Sequence, residues 1–339
     1  MLQIAQHEYT PEVLQKTAEL LKINPEYYTI WNHRRRIYAN EFETLQKGVS
    51  DGSIKREDYD SQILDIIQLD LQFQFPLLLK FPKCYWIWNH RLWLLEQATL
   101  HLPSATARRL WEEELTLVGK MLTRDSRNFL GWGYRRTVVA SLESKALNGS
   151  SMAKTEFDYT TKMIGLNLSN FSAWHNRTKL ILSILDEKSA TDEERRQMLD
   201  DGELLDSWRH ATTTNCIELE LIHRALFDPY DQSLWFYHQN LMCTFDPDIA
   251  KGTMAPNLSQ ADKLKYIAGE HEFILDLLED AKDCKWVYQA LIECTLVAAK
   301  VAGSLSLEAK RQIQNWLVEL RRLDPLRKGR WDNLEESLQ

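Results

Sequence analysis

Apolar residues along this chain recur at helical spacing and in paired runs. The first member of each pair is an amphipathic stretch: Val13–Leu21, Ile63–Leu79, Leu110–Leu122, Phe157–Leu166 and Ile217–Leu226. A few residues later a second run opens around a tryptophan: Trp31, Trp88, Trp132, Trp174 and Trp235. The five Trp segments read NPEYYTIWNHRRRIY, FPKCYWIWNHRLWLL, DSRNFLGWGYRRTVV, NLSNFSAWHNRTKLI and DPYDQSLWFYHQNLM. Their tryptophans are 57, 44, 42 and 61 residues apart. Those spacings are too irregular for a tetratricopeptide array but suit a solenoid of helical pairs joined by loops of variable length.

Aligned on the Trp, the columns carry physical sense. Seven residues earlier stand Asn24, Asp125, Asn167 and Asp228, which suit a helix N-cap or the turn just ahead of it. Pro25, Pro82 and Pro229 follow, as a first helical position would favour. Three before the Trp are Tyr28, Tyr85, Phe129 and Phe171; three after it are Arg34, Arg91, Arg135, Arg177 and, in the fifth copy, His238. Positions −3, 0, +6 and +7 share one helical face, so each helix is expected to bury its aromatic stripe. Two weaker copies follow, one at Trp286 after the run Tyr266–Leu278 and one at Trp331 behind Asp324-Pro325. The pattern predicts an all-α solenoid of about seven helical hairpins, with 1–339 as a single domain. Gly48–Lys55, Lys145–Lys154, Asp186–Arg196 and Asp246–Asp262 read as surface loops.

Composition narrows the function. Basic residues number 41 and acidic ones 49, a net charge of −8, which argues against general affinity for nucleic acid or acidic membranes. Twelve Gly and nine Pro leave few turns for an all-β fold. The cysteines, Cys84, Cys216, Cys243, Cys284 and Cys294, are odd in number and form no C-x-x-C. That suggests neither a disulfide framework nor a zinc site, but reduced thiols. The N-terminus lacks the features of a signal peptide, and no stretch reaches membrane-spanning length. A cytoplasmic protein is expected.

The unit P-x-x-Y/F-x-x-W-x-x-R, repeated in register and closed by DPLRKGRW, resembles the repeat of the protein prenyltransferase α-subunit family. The resemblance runs from about residue 10 to the C-terminus. It implies a right-handed superhelical crescent clasping a β-subunit, an α–α barrel that holds the catalytic zinc and the isoprenoid diphosphate. This chain would then be the non-zinc subunit of a thioether-forming prenyl transferase. In the second repeat the family places a Lys and a Tyr two residues apart near the diphosphate; the matching residues are Lys83 and Tyr85, in PKCYWIWNHR. A cation there stabilises charge gathering on the leaving pyrophosphate. Periodicity alone makes Lys83 an exposed lysine near a helix start and puts Tyr85 in the core-facing column. The Arg column could bind phosphate, yet one site does not need a ladder. Pairing with acidic side chains or carbonyls of a neighbouring helix is the expectation, with His33 and His90 as hydrogen-bonded structural histidines.

Two departures sharpen the reading. Family members that read a CaaX tail carry a Gln between this Tyr and the Trp, where it meets the tail's carboxylate; here that position is Trp86. A His often follows the aromatic of the third repeat; here it is Leu130. Trp86 favours the Rab geranylgeranyltransferase (type II) branch, in its compact fungal-type form. Such an enzyme transfers geranylgeranyl from geranylgeranyl diphosphate to C-terminal cysteines of Rab GTPases presented by an escort protein. The alternatives are the α-subunit shared by farnesyltransferase and type I geranylgeranyltransferase, and a non-catalytic helical-repeat scaffold.

Overall fold

The computed structural model describes residues 9–199 and 218–338, and among them there is no strand. Cys216 and the first residue of the run at Ile217 lie outside the described residues. The chain divides into two compact units, Met1–Met152 and Ala153–Gln339. The first holds α1 (Pro11–Ile23), α2 (Tyr28–Ser50), α3 (Arg56–Lys80), α4 (Tyr85–His101), α5 (Ser104–Arg124) and α6 (Phe129–Leu142). The second holds α7 (Ala153–Leu166), α8 (Phe171–Glu187), α9 (Asp192–Leu199), α10 (Glu218–Ala225), α11 (Gln232–Met242), α12 (Gln260–Asp280), α13 (Lys285–Ala302), α14 (Leu307–Leu323) and α15 (Lys328–Ser337). Each column Trp lies on the second helix of a hairpin, and seven such hairpins are present among the described residues, as expected. Helix α9 is extra. It opens inside the expected loop Asp186–Arg196, where Thr191 and Glu194 cap each other reciprocally.

The hairpin turn explains the columns and corrects two of them. Asn24 and Asp125 close the preceding helix, their amides bonding back to Leu20 and Met121. The prolines therefore sit in the turn rather than at the first helical position. N-capping falls to the residue four before the Trp: Asn128 accepts from the Leu130 and Gly131 amides, Asn170 from Ala173, and Asp231 from Ser233. Six residues before each Trp a carbonyl accepts the buried indole N–H. Trp31 donates to Pro25, Trp88 to Pro82, Trp132 to Ser126, Trp174 to Leu168 and Trp235 to Pro229, at 2.7–2.9 Å. Three of these carbonyls use their second lone pair on the next hairpin: Cys84 Sγ donates to Pro25, Asn128 Nδ2 to Pro82 and Cys284 Sγ to Pro229.

The same bond identifies the sixth repeat, and there the expected register is wrong. Trp286 is only half-buried, whereas buried Tyr288 donates its hydroxyl to the carbonyl six residues back, Lys282, at 2.9 Å. Tyr288 fills the Trp column and Trp286 matches Trp86. A further correction concerns the aromatics three before the Trp. Tyr28, Tyr85, Phe129 and Phe171 are 54%, 57%, 70% and 43% exposed rather than buried. Each is the first residue of its helix. Its side chain leans toward the helix N-terminus, past the packed length of the hairpin.

The Arg column pairs with carboxylates of the next hairpin's first helix. Arg34 holds Asp70 on α3 and also donates to Thr17 Oγ1 at 2.7 Å. Arg91 grips Glu114 on α5 through two bonds of 2.7 and 2.6 Å. Arg177 does the same to Glu218 on α10, with Nε–Oε2 at 2.9 Å and Nη2–Oε1 at 2.7 Å. His238 reaches Glu270 on α12 at 3.0 Å. Each Arg-bound carboxylate also accepts from a ring side chain on its own hairpin: Asp70 from His90 at 2.7 Å, Glu114 from Tyr134 at 2.9 Å, and Glu218 from Tyr237. Burial alone would raise the Asp70 pKa, but the His90 hydrogen bond and the Arg34 charge outweigh it and hold it at about 2. Burial holds His90 below its ordinary 6.5 against the pull of Asp70. The neutral ring donates from Nε2 to Asp70 and accepts at Nδ1 from Arg35 Nε, 3.2 Å away.

Two outcomes follow from these buried groups. Glu114→Gln strands the Arg91 guanidinium and should cost about 3–5 kcal/mol in urea unfolding, while Arg91→Met with Glu114→Leu should recover much of it. An imidazole whose folded pKa lies below 6.5 gains a proton on unfolding. Stability from His90 is therefore complete above pH 6.5 and falls as the pH drops toward the folded value. Burial gives His101 and His271 the same sign. Unfolding free energy measured from pH 7.5 to 5 should decline, and His90→Gln should flatten part of that slope.

Candidate functional site

Lys83 and Tyr85 lie at the turn that joins α3 to α4. Cys84, between them, points inward: it is buried and its thiol bonds to the Pro25 carbonyl. That inward anchor throws its two neighbours outward. The Lys83 side chain is 71% exposed, and its Nζ lies 3.5 Å from Asp125 Oδ2 at the end of α5. The Asn128 side chain, bonded to the Pro82 carbonyl at 3.0 Å, staples the α5–α6 turn beside this one and so sets that approach. Tyr85 heads α4 with its ring in solvent, which replaces the core-facing position expected from periodicity.

Trp86 is half-buried and makes the site more than a lone lysine. Its ring lies 5.5 Å from Tyr28 and 5.7 Å from Tyr85, the latter edge-on at 88°. Lysine, phenol and indole thus share one surface of the first unit. The second unit carries a comparable row: Phe171, Phe236 and Trp286, with ring centroids 6.1 and 6.2 Å apart in sequence. Exposed aromatic rows of this kind mark surfaces that another protein covers. The arrangement around Lys83 can attract and orient an anion. It contains no nucleophile aligned with a base, since burial pushes the Cys84 thiol up to about 11. No group of three or more His, Cys, Asp or Glu among the described residues could hold a metal ion. No described helix is long and apolar enough to cross a membrane.

The other candidates sort as structural. Arg34, Arg91 and Arg177 are consumed by the carboxylates above, and buried Arg135 belongs to the same column. Leu130 is half-buried and capped through its amide by Asn128. The outward aromatic row was missed in the sequence. Its signal is position: the three-before column falls on the first helical residue once the proline is placed in the turn.

Comparison with known proteins bears on the family and the fold. The model of the protein prenyltransferase alpha subunit repeat matches residues 11–41, 75–98, 111–142 and 153–184. The chain is 34% identical to the geranylgeranyl transferase type-2 subunit alpha of Saccharomyces cerevisiae, over 97% of this chain and 86% of that one. It is 33% identical to the Schizosaccharomyces pombe protein of the same name, over 98% and 86%. The human protein of that name is 32% identical over 72% of this chain and 36% of its own. Among solved structures, a chain of Candida albicans protein geranylgeranyltransferase-I complexed with GGPP superposes with a TM-score of 0.58 at 20% identity. That match covers 99% of this chain and 87% of the other, and it supports the fold.

Because Lys83 is exposed and its ion pair with Asp125 is long, Lys83→Ala should leave the melting temperature of the chain unchanged. Calorimetry of the two proteins side by side checks this; a clear drop would make the lysine structural.

Proposed function

The chain belongs to the protein prenyltransferase α-subunit family, and from that premise we propose that it is the α-subunit of a heterodimeric geranylgeranyltransferase of the type-2 class, acting on Rab GTPases presented by an escort protein. The observation that carries this reading is the likeness to type-2 α-subunits along nearly the whole chain. The substrate is geranylgeranyl diphosphate. The β-subunit would cover the outward aromatic rows and hold a zinc whose charge would favour the thiolate form of the acceptor cysteine.

The reaction then divides between subunits. The acceptor sulfur bonds to the prenyl C1, the C1–O bond breaks, and both electrons leave with the diphosphate. Lys83 meets the charge that builds on those oxygens, and the Tyr85 hydroxyl can donate to the same group. Trp86 sets specificity by what it lacks. An indole offers a single N–H donor where a glutamine amide offers two, and this ring is packed between Tyr28 and Tyr85. It makes a poor seat for the terminal carboxylate of a short tail. A carrier that docks elsewhere and delivers the flexible C-terminus supplies recognition through effective concentration instead.

Two measurements test this. Lys83→Ala should leave assembly with the β-subunit intact and lower kcat by about a hundredfold, the low end for losing an oxyanion contact because partner cations share the load. Wild-type turnover in the variant complex would reduce Lys83 to surface. In a labelled geranylgeranyl diphosphate assay, the complex should modify Rab with escort protein and ignore a CaaX peptide. Efficient peptide modification without escort would replace this reading with the shared farnesyl/type I α-subunit.

A further inference from the structure

Arg35 stands apart from the arginines around it. Arg34 and Arg91 each hold a buried carboxylate, whereas Arg35 makes no ion pair among the described residues. Its Nε donates to the neutral His90 ring at 3.2 Å, and its guanidinium carbon lies 5.9 Å from the Trp93 ring centre. Its Nη2 is out of solvent with no acceptor. Burial lowers the Arg35 pKa, against the opposing charge of Glu96. A half-buried cation without a carboxylate is a cost that an incoming anion relieves.

Its position says where that anion comes from. Arg35 lies seven residues beyond Tyr28 on α2, and Trp93 seven beyond Trp86 on α4, so each pair shares a helix face. The contacts Tyr28–Trp86 and Arg35–Trp93 are successive rungs of one stripe. Tyr, Trp and Arg, partly desolvated and clustered, are the composition of an interface hot spot.

We infer that Arg35, seated on Trp93, receives a carboxylate side chain of the β-subunit and is a hot spot of the heterodimer. This rests on the partner assigned under Proposed function. The guanidinium lies against the Trp93 ring and His90 fixes its stem, so the geometry favours Arg over Lys.

The test uses the full chain and the complex formed with the β-subunit encoded in the same genome. Arg35→Met should weaken the heterodimer about thirtyfold or more, chiefly through faster dissociation, and should reduce the salt dependence of assembly. Arg35→Lys should fall between Met and wild type. In the chain alone Arg35→Met removes the donor to His90 Nδ1, so its melting temperature should fall slightly, and by less than that of Arg91→Met, which strands a buried carboxylate. Wild-type affinity in Arg35→Met overturns the inference and leaves the β-subunit reading standing. So does a melting-temperature loss as large as that of Arg91→Met, which would make Arg35 structural. If the wild-type chain captures no β-subunit, the reading under Proposed function fails first, and this inference with it.

Discussion

The architecture within each unit depends on a buried carboxylate held from two sides. Asp70, Glu114 and Glu218 each sit on the first helix of a hairpin and meet the arginine of the preceding hairpin and a ring donor of their own. Removing such charges from water is expensive, and the cost is offset only when every lone pair and proton finds a partner. A sliding or rotation of one hairpin against the next would strand the guanidinium and the carboxylate together. The network therefore enforces a spacing between successive hairpins that apolar packing alone would leave loose. The indole-to-carbonyl bond does the corresponding work at the turn, fixing each second helix to the chain that leads into it.

That inward network decides what is left for the outside. The Trp, Arg and +6/+7 positions point into the hairpin stack, so the helix starts and the faces beyond them carry the remaining chemistry. The aromatic at the first helical residue cannot be buried by its own hairpin and becomes part of a surface row. Lys83 is outward for the same reason: Cys84 takes the inward place in the turn. The site is thus a by-product of the repeat, varied in one copy. In the second repeat the turn carries a lysine where the first carries Glu26, with an acid, Asp125, facing it from the third.

Much of this was legible in the chain. Five Trp-aligned segments with preceding apolar runs, and two weaker copies, pointed to the hairpins, because tandem columns average out local noise. Pairing of the Arg column with acids was also foreseeable, since an arginine recurring on a buried face needs a carboxylate. The particular acids were overlooked, although they stand seventeen or eighteen residues ahead of the Trp column inside apolar-rich runs: Asp70, Glu114, Glu218 and Glu270. Periodicity misplaced the aromatic column because a helical wheel ignores where the helix begins. Position −3 falls on the correct face yet beyond the packed length. It misplaced the sixth repeat because Trp is the stronger visual anchor, while the structural requirement is a long ring with a donor at its tip, which Tyr288 meets. Lys83 and Tyr85 could be named only through the family likeness. Nothing in their spacing separates them from other polar turn residues.

A lysine in water is a weak catalyst, and this bears on why the proposed activity would need a second subunit. Two unit charges 4 Å apart interact by roughly 1 kcal/mol in bulk water and about 4 kcal/mol near a protein surface of intermediate polarity. Lys83 on the bare chain sits at the first limit, 71% exposed and sharing its charge with Asp125. Covering the neighbouring aromatic row with a second subunit would exclude solvent and move the same ammonium toward the second limit, with no change in its own geometry. The step is several-fold in energy and exponential in rate. On the proposed reading the aromatic surface and the lysine would form one device: apolar area would drive association, and association would give the charge its effect. A chain of this design gains by leaving its site open until the partner arrives, since an uncovered cation does little chemistry of its own.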